Sequence, residues 1–348
     1  MKFYTLSPTQ DLWSEKLNAF SKEQKDIFYY QKFAELCQKT IYKKYDVYCL
    51  VAEENQDIII CPVVKRKFKF ENKYFFDLTS LYNLSGPIQN STNLNLQKFF
   101  SEKLHEHCLK NKIKNYFIRF HPIIKNDNIL IKSNKVINTG DFLSVNLRKI
   151  DTEIMKDFSK AHKKSINKAK KSNIEIIISN KDELIKKFIK IYYEEMKLKN
   201  AESFYFFEKN FFSLLDKYIP NNFQFFFAIY EGELISAEMV LYNEFYCHSF
   251  LGSTLYKYRE QCSNHLIKHK IIEYFTNKDL KYYLLGGGVN TNDGIFKYKT
   301  GFTNEMPREN TIGKLNFDEE FHNNLINNFK SAYPKENFIK MQFYEEYL

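Results

Sequence analysis

Short apolar runs separated by polar turns dominate the chain and predict strands flanked by helices. In the second half, three such runs follow one another with only two or three polar residues between them, at residues 223–230, 234–242 and 245–252. Turns this short join antiparallel neighbours, so the pattern predicts a three-stranded meander. A helix over 262–277 and a strand over 282–285 follow it.

The first half has a similar order of elements. Runs at 47–52 and 58–64 flank the polar turn E-E-N-Q-D and predict a hairpin. Helical spacing of apolar residues predicts helices over 21–45 and 94–112, and a buried strand follows at 116–120. Helix, hairpin, helix and strand in each half indicate a duplicated α/β unit.

We therefore predict two domains, residues 1–140 and residues 141–348. The meander and a cluster of glycines occur only in the second half. The chemistry is accordingly expected in the second domain or at the interface of the two. A helix predicted over 151–172 opens this domain, and one of its faces carries five lysines: Lys163, Lys164, Lys168, Lys170 and Lys171.

Three consecutive glycines end the strand at 282–285. Gly286, Gly287 and Gly288 are three of only 10 glycines in 348 residues, so they mark a place where side chains are not tolerated. Glycine permits positive φ and lets a ligand or another backbone approach closely. The aromatic and basic segment F-K-Y-K-T-G-F, with Lys299, follows. The stretch is typical of the edge of an active-site cleft, and a tight strand-to-helix loop is the alternative.

The composition is that of a globular, basic protein. The formal net charge is +10 and the isoelectric point about 9.0, which fits a polyanionic partner such as RNA or a phosphorylated substrate. Nucleotide bias in the coding DNA also enriches lysine. The six cysteines form no C-x-x-C pair and no apolar run approaches the ~20 residues of a membrane span. We expect a cytoplasmic protein with reduced thiols and no membrane insertion.

Five segments in order, between about residues 26 and 302, resemble the Fem-type (FemAB-like) aminoacyl and acyl transferases, which build peptidoglycan bridges and act in surface-glycan pathways. They are F-D-L-T-S-L-Y-N-L-S-G-P, Y-F-I-R-F-H-P, H-K-K-S-I-N-K-A-K-K, F-Y-F-F and L-L-G-G-G…D-G-I-F-K-Y-K-T-G-F. The resemblance implies an α/β (α+β) fold of tandem GNAT-like domains, each a mixed, mostly antiparallel sheet flanked by helices. It also implies transfer of an acyl or aminoacyl group to an amine of a cell-envelope precursor.

The resemblance also assigns candidate catalytic residues. Lys299 matches the family's lysine, which implies a cation near the reacting carbonyl, where charge develops during attack by an amine. Asp293 is the candidate to bind the acceptor amine or take its proton. The structural alternative for Lys299 is a solvated surface lysine, and for Asp293 it is a helix cap.

The remaining candidates are substrate contacts implied by the same resemblance: Lys163, Asp77, Tyr82, Arg119, His121, Tyr205, Gly286, Gly287 and Gly288. Lys163 and its basic neighbours are expected to hold phosphates, although the family usually shows arginine there and lysine is a poorer bidentate ligand. The alternative for Lys163 is a solvated helix face. The alternative for Arg119 and His121 is an internal ion pair, and the alternative for Tyr205 is core packing. No metal site is expected, because His265 and His269 lack the glutamate of a zinc-protease helix.

The donor stays open between aminoacyl-tRNA and acyl-CoA, and no tightly bound cofactor is expected. The turn Y-K-Y-R-E-Q-C-S-N stands where a CoA-using GNAT carries glycines, and it has none. A nucleotide- or lipid-linked precursor is the expected acceptor, with tRNA as a further candidate partner. Two other functions are compatible with the sequence: a CoA-dependent GNAT N-acetyltransferase of a small amine or amino sugar, and a noncatalytic RNA-binding protein.

Overall fold

The computed structural model describes residues 1–130, 135–149, 151–201, 205–288 and 293–332. Contacts divide the chain into two compact units. The first comprises Met1–Gly140 together with the described residues from Glu309 onwards, and the second comprises Asp141–Arg308.

The described residues form strands and helices throughout. The strands are β1 (Lys2–Leu6), β2 (Asp46–Glu54), β3 (Asp57–Phe70), β4 (Lys73–Ser80), β5 (Ile88–Gln89), β6 (Ile113–Arg119), β7 (Lys135–Asn146), β8 (Glu175–Ile178), β9 (Phe223–Tyr230), β10 (Glu233–Tyr242), β11 (Tyr246–Thr254), β12 (Tyr282–Gly286) and β13 (Arg308–Asn316). The α-helices are α1 (Leu12–Asn18), α2 (Gln31–Thr40), α3 (Leu94–Lys110), α4 (Asp151–Asp157), α5 (Lys160–Lys171), α6 (Asp182–Leu198), α7 (Lys209–Ser213), α8 (Leu215–Tyr218), α9 (Ser263–Asn277), α10 (Gly294–Thr300) and α11 (Glu319–Ala332). Short 3₁₀ helices occupy Ile27–Tyr29, Asn126–Asn128 and Tyr256–Gln261.

The first unit is built on a mixed sheet in the order β1-β2-β3-β4-β6-β13, with β5 beside β3. Its pairs are antiparallel except β4 with β6. The hairpin predicted in this half is present as β2 and β3, with Leu50 opposite Cys61. β13 pairs with β6 through Ile312 and Arg119. The structure therefore groups β13 with the first unit, whereas the sequence-based division put all residues after 140 in the second domain.

The second unit is built on a sheet in the order β7-β12-β11-β10-β9-β8. β9, β10 and β11 form the predicted antiparallel meander. β11 and β12 are parallel and are joined through α9, and their pairing ends at His248 and Leu284. β11 runs on to Thr254 beyond this last pair. Both units thus have the predicted mixed, mostly antiparallel sheet with flanking helices.

Helices cover both faces of the sheet in the second unit. Successive residues of a strand point to opposite faces. On β9, the ring of Phe225 packs 5.4 Å from that of Phe188 on α6, and the ring of Phe226 packs 6.2 Å from that of Phe275 on α9. α6 and α9 therefore lie on opposite faces, and α5 packs beside α9.

The helix predicted over 151–172 is two helices. α4 ends at Asp157 and α5 begins at Lys160. Ser159 caps α5, because its hydroxyl accepts a hydrogen bond of 3.1 Å from the backbone N–H of His162. Serine competes for backbone groups in this way, which explains the break between α4 and α5.

Within the described residues, no helix combines the length and the apolar character needed to cross a membrane.

Candidate active site

A cavity of about 460 Å³ opens in the second unit where α9 and α10 meet the ends of β10 and β11. Charged and hydroxyl side chains from all four elements line it: Glu238 on β10, Ser249 on β11, Lys268 on α9 and Lys299 on α10. The cavity is therefore polar where the elements converge, which is the arrangement expected of a binding or catalytic site.

A buried ion pair forms one wall of the cavity. The ammonium group of Lys268 donates to Glu238 Oε1 (2.6 Å), Ser249 Oγ (2.6 Å) and the hydroxyl of Tyr283 (2.8 Å). Tyr283 in turn donates to Glu238 Oε1 at 2.5 Å. Lys268 and Glu238 are only 5% and 6% exposed. All three protons of the ammonium group are satisfied, which is what a buried charge requires.

The carboxylate of Glu238 uses its two oxygens unequally. Oε1 accepts the hydrogen bonds from Lys268 and from Tyr283. Oε2 receives no hydrogen bond from the described residues, and the carboxylate lines the cavity. Glu238 is thus held rigidly by one oxygen and presents an acceptor to whatever enters the cavity.

Lys299 brings a second ammonium group to the same cavity. Its Nζ donates a hydrogen bond of 2.7 Å to the backbone oxygen of Gly287. Burial lowers the pKa of Lys299 to about 8, and the nearby Lys268 ammonium acts in the same direction. The carboxylates of Glu238 and Asp293 oppose this shift. The pKa of Lys299 therefore lies close to neutral pH, and a part of the Lys299 side chains is uncharged there.

Two of the three glycines have a steric reason. Gly286 has a φ of +79°, and a Cβ there would lie 3.3 Å from Lys299 Nζ. A Cβ on Gly287 would lie 2.7 Å from the backbone oxygen of Asp141, closer than real Cβ contacts. Gly288 is exposed. Glycine is thus required here because β12 turns beside both a lysine head group and a neighbouring backbone.

Asp293 begins α10. Its side chain accepts a hydrogen bond of 2.7 Å from the backbone N–H of Phe296, so it caps the helix that carries Lys299. Its charge also raises the pKa of Lys299. The aspartate therefore has a structural task, and its role as proton acceptor stays a prediction.

Helix α10 is fixed to α5 through His162. The ring Nε2 donates to the backbone oxygen of Tyr298 at 2.8 Å, and Nδ1 lies 3.0 Å from Ser159 Oγ. A Cβ on Gly301 would clash with this ring. The His265 ring, 4.7 Å away, lines the cavity, and burial lowers its pKa to about 4. Burial also lowers the pKa of His162. Both shifts favour the neutral imidazole at pH 7, so His265 shapes the cavity wall without adding charge.

Cations outnumber carboxylates around the cavity. Lys199 and Arg259 join Lys268 and Lys299 in its lining, against the single carboxylate of Glu238 in the described lining. An excess of positive charge favours an anionic ligand or a ligand with an anionic part. Phosphate groups and carboxylates are therefore the ligand chemistry that the cavity fits.

The turn before α9 has no glycine and is wound into a 3₁₀ helix, Tyr256–Gln261. The backbone N–H of Tyr256 donates to Glu195 Oε1 at 2.9 Å, and the Arg259 guanidinium lies 4.1 Å above the Tyr256 ring. Cys262, with a φ of 57°, then turns the chain into α9. This segment is therefore a 3₁₀ helix that contributes Arg259 to the cavity lining, and not an open glycine loop.

Two predicted substrate contacts of the second unit lie elsewhere. Lys163 is on α5, and its Nζ donates to the backbone oxygen of Lys156 at 2.9 Å. Tyr205 is 46% exposed, and its backbone oxygen accepts from the hydroxyl of Tyr192 at 2.8 Å. Among the described residues that line the cavity, neither of the two is found. Their contact with a substrate stays a prediction.

Asp77 and His121 belong to the first unit and have buried partners there. Asp77 pairs with Arg66 through hydrogen bonds of 3.0 and 2.6 Å. Nε2 of His121 lies 2.8 Å from Asp26 Oδ2, and both side chains are fully buried. Nδ1 of His121 accepts from two backbone N–H groups, so its proton sits on Nε2 and points to Asp26. The pair with Asp26 is the internal partner that the sequence left as an alternative for His121. The Arg66 partner of Asp77 was not predicted from the sequence.

Tyr82 and Arg119 also lie in the first unit and are half-buried. Tyr82 follows β4 in a bend. Arg119 ends β6, with its guanidinium 5.2 Å from the ring of Phe117. As with Asp77 and His121, a contact of these side chains with a substrate is a prediction that the geometry of the first unit does not test.

Comparisons with known structures identify the fold. FemX matches with a TM-score of 0.71 and 11% identity, over 93% of this chain and 100% of that chain. The C-terminal domain of a putative lysylphosphatidylglycerol synthetase from Agrobacterium fabrum matches with a TM-score of 0.55 and 8% identity, over 85% and 96%. A tandem GNAT protein from the clavulanic acid biosynthesis pathway matches with a TM-score of 0.52 and 9% identity, over 91% and 98%.

The chain has the fold of FemX. The predicted tandem GNAT-like fold is therefore confirmed. No family model matches the sequence, and no curated protein sequence is significantly similar to it.

Within this FemX fold, the cavity of the second unit unites only part of the predicted site. Lys299 meets the glycine stretch, as expected, through its hydrogen bond to Gly287. The sequence reasoning missed Glu238, Lys268 and the neutral His265. A signal existed, because Glu238 interrupts the apolar run L-I-S-A-E-M-V-L-Y of the predicted central strand. A charge in such a run is either paired or functional.

Proposed function

We propose that this protein is an acyl or aminoacyl transferase that moves its acyl group to an amine of a cell-envelope precursor. The observation that carries the proposal is the Lys299 ammonium group, fixed by Gly287 in a cavity that it shares with the carboxylate of Glu238. The likeness of the fold to FemX and to a putative lysylphosphatidylglycerol synthetase supports this reaction class.

The geometry supports a division of labour between the two groups. Attack of a neutral amine on an ester or thioester carbonyl forms a tetrahedral oxyanion and leaves a proton on the nitrogen. Lys299, in its protonated form, stabilises the oxyanion. Glu238 accepts the proton through Oε2 while Lys268 and Tyr283 hold Oε1 in place. Asp293 caps α10 and so keeps Lys299 in position.

The donor in this proposal is aminoacyl-tRNA, with acyl-CoA as the alternative. The segment Tyr256–Gln261 is an ordered 3₁₀ helix without glycine, which disfavours a CoA pyrophosphate loop at this place. The excess of cations around the cavity fits the phosphates of a nucleotide- or lipid-linked acceptor. Five exposed lysines on α5, including Lys164, keep RNA binding without catalysis as a second candidate: Lys160, Lys164, Lys168, Lys170 and Lys171.

The first experiment compares envelope precursors from cells with and without the gene by untargeted mass spectrometry. We expect a precursor that gains the mass of an acyl or aminoacyl group only when the gene is present. Identical precursor profiles in the two strains would contradict the function.

The second experiment uses the purified chain and the precursor so identified. Lys299→Ala should lower turnover by about 10²–10³-fold, because it removes the group that stabilises the oxyanion. Lys314→Ala, which changes a half-buried lysine of the first unit outside the described cavity lining, is the matched control and should retain turnover. Full turnover of Lys299→Ala would remove the proposed mechanism. Thermal shift by acyl-CoAs, or salt-dependent retention of tRNA, separates the donors.

A further inference from the structure

Two lysines share the cavity, but their amines are bound differently. Lys268 is 5% exposed and gives all three of its protons to side-chain oxygens. Lys299 is half-buried, and among the described residues its Nζ has one hydrogen-bond partner, the backbone oxygen of Gly287. Nζ of Lys299 therefore has room to lose a proton and to point its lone pair into the cavity.

We propose that Nζ of Lys299 is a site of N-acylation, by acyl phosphates or acyl thioesters that enter the cavity. The inference rests on the cavity and its charges. It stands independently of the proposed transfer reaction, since any activated acyl compound that fits the cavity serves as the acyl source.

The charges around Lys299 support a reactive amine. Lys268 faces it from α9, Glu238 from β10 and Asp293 from the start of α10. Burial and the Lys268 cation outweigh the two carboxylates and lower the pKa of Lys299 to about 8. At pH 7.5 an amine with this pKa is about one quarter neutral, whereas an amine at the ordinary lysine value is about 0.1% neutral. Only the neutral form attacks a carbonyl.

The chemical step balances without a further reagent. The lone pair of Nζ attacks the carbonyl carbon and a C–N bond forms. The C–O bond to phosphate, or the C–S bond to the thiol, breaks. The leaving group departs with the electron pair, and the proton released by nitrogen passes to it or to solvent. The product is an amide, which carries no charge at neutral pH, so the cavity loses one of its cations.

The glycine stretch leaves space for this product. A Cβ on Gly286 would lie 3.3 Å from Nζ, so any larger residue there would crowd the amine. An acyl group on Lys299 fills the volume in which a substrate carbonyl would meet the ammonium. Acylation therefore removes the cation and blocks the space in one step, which makes Lys299 a site at which the metabolic supply of activated acyl groups would switch the cavity off.

The test treats the full chain with acetyl phosphate and, in a separate arm, with acetyl-CoA, and follows each lysine by peptide mass spectrometry. We expect Lys299 to be acetylated about tenfold faster than the median exposed lysine. Its neutral fraction is more than about a hundredfold larger, and the lower nucleophilicity of the weaker base removes part of that gain. Its rate should rise with pH to a midpoint near 8. Lys268 should stay unmodified. If Lys299 reacts in just one of the two arms, that arm identifies the acyl source.

Lys314 of the first unit is an internal comparator. Burial alone lowers its pKa to about 8 as well, and it is half-buried on β13. If Lys299 and Lys314 react equally, burial explains the reactivity and the role of the cavity is overturned. A rate for Lys299 at or below the median, or a midpoint near 10, would also overturn the proposal. Glu238→Gln removes a carboxylate that raises the pKa of Lys299. In this variant the pH midpoint for acetylation of Lys299 should therefore lie below the midpoint in the native chain.

These outcomes separate the inference from the proposed function. Acetylation is measured on the protein itself and needs neither donor nor acceptor of the transfer reaction. A chain that is acetylated at Lys299 but leaves envelope precursors unchanged would uphold the inference and contradict the function. The reverse pattern would uphold the function alone.

Discussion

Each unit contains a buried ion pair, and the two pairs are buried to nearly the same degree. Side-chain exposure is 5% and 0% for Arg66 and Asp77 in the first unit, and 7% and 8% for Lys268 and Glu238 in the second. Burial by itself therefore does not tell a structural pair from a functional one.

The difference between the pairs lies in how the carboxylate is used. Arg66 and Asp77 stand directly opposite each other on β3 and β4, and the guanidinium contacts both oxygens of the aspartate. This fork geometry links two strands. In the second pair, Lys268 and Tyr283 both contact one oxygen of Glu238, and the carboxylate lines a cavity. An acceptor presented to a cavity, and not burial, marks the candidate site.

The largest effect is expected from breaking each pair on its cationic side. Arg66→Met leaves the fully buried Asp77 carboxylate without its guanidinium partner and should lower the free energy of unfolding by ~3–5 kcal/mol. Lys268→Met should cost less, about 1–3 kcal/mol, because Glu238 lines the cavity and water can reach it. Urea unfolding of the two variants measures both values.

If the two variants lose similar amounts of unfolding free energy, water from the cavity does not reach Glu238. The distinction between a closed and an open pair would then fail. Substituting both partners by apolar residues is the control, since removal of a whole buried pair is often close to neutral.

The sequence predicts the elements better than the partners of its polar residues. Periodicity finds the meander because its strands are joined by very short turns. It does not show that Ser159 would take the N–H of His162 and split the helix predicted over 151–172. The helix predicted over 21–45 is present but shorter, as α2. A 3₁₀ helix at Ile27–Tyr29 precedes it, and the Asp26 side chain accepts a hydrogen bond from the first N–H of that helix. Local hydrogen bonds decide such breaks, and apolar spacing does not report them.

The sequence predicts the part of the candidate site that is formed by residues close together in the chain. The glycine stretch and Lys299 are close in sequence, and a resemblance to a family pointed to them. Glu238, Lys268 and Tyr283 come from β10, α9 and β12, so only the fold brings them together. Asp77 was foreseen as a substrate contact, yet its partner on the neighbouring strand is fixed by β3–β4 register, which composition does not reveal.

Glu238→Gln sharpens the comparison at the level of chemistry. The amide keeps the shape of the side chain but is a far weaker proton acceptor, so turnover of the identified precursor should fall by about 10²-fold or more. Asp293→Asn is the matched control, because asparagine still caps α10 and only the charge is lost. A severe loss in Asp293→Asn with normal turnover in Glu238→Gln would return the proton-acceptor role to Asp293.

The pH dependence of stability tests the ammonium of Lys299. Below pH 8 both folded and unfolded chains hold its proton, and the folded chain bears the full cost of burying the charge. Between pH 8 and the ordinary pKa of lysine, the unfolded chain binds more protons, so this contribution to stability rises with pH. Lys299→Met should therefore be more stable than the native chain at pH 7, by about 1–3 kcal/mol, and the difference should narrow by pH 10.

Lys314→Met in the first unit extends this measurement. Burial lowers the pKa of Lys314 to about 8 too. The difference in stability between Lys314→Met and the native chain should therefore also become smaller between pH 7 and pH 10. Thermal or urea unfolding at several pH values gives both curves. A difference between the native chain and Lys299→Met that does not change with pH would show that the amine is not destabilised in its charged form.

The smallest effect concerns the space around Lys299. Gly286 and Gly232 have nearly the same φ, +79° and +78°, but a Cβ on Gly286 would lie 3.3 Å from Lys299 Nζ, whereas a Cβ on Gly232 would have no atom within 4 Å. Alanine at either position should cost about 1 kcal/mol through backbone strain. Only Gly286→Ala should displace the Lys299 amine from Gly287 and change its acetylation rate. An unchanged rate in Gly286→Ala, with equal stability losses in both variants, would mean that this glycine serves the turn alone.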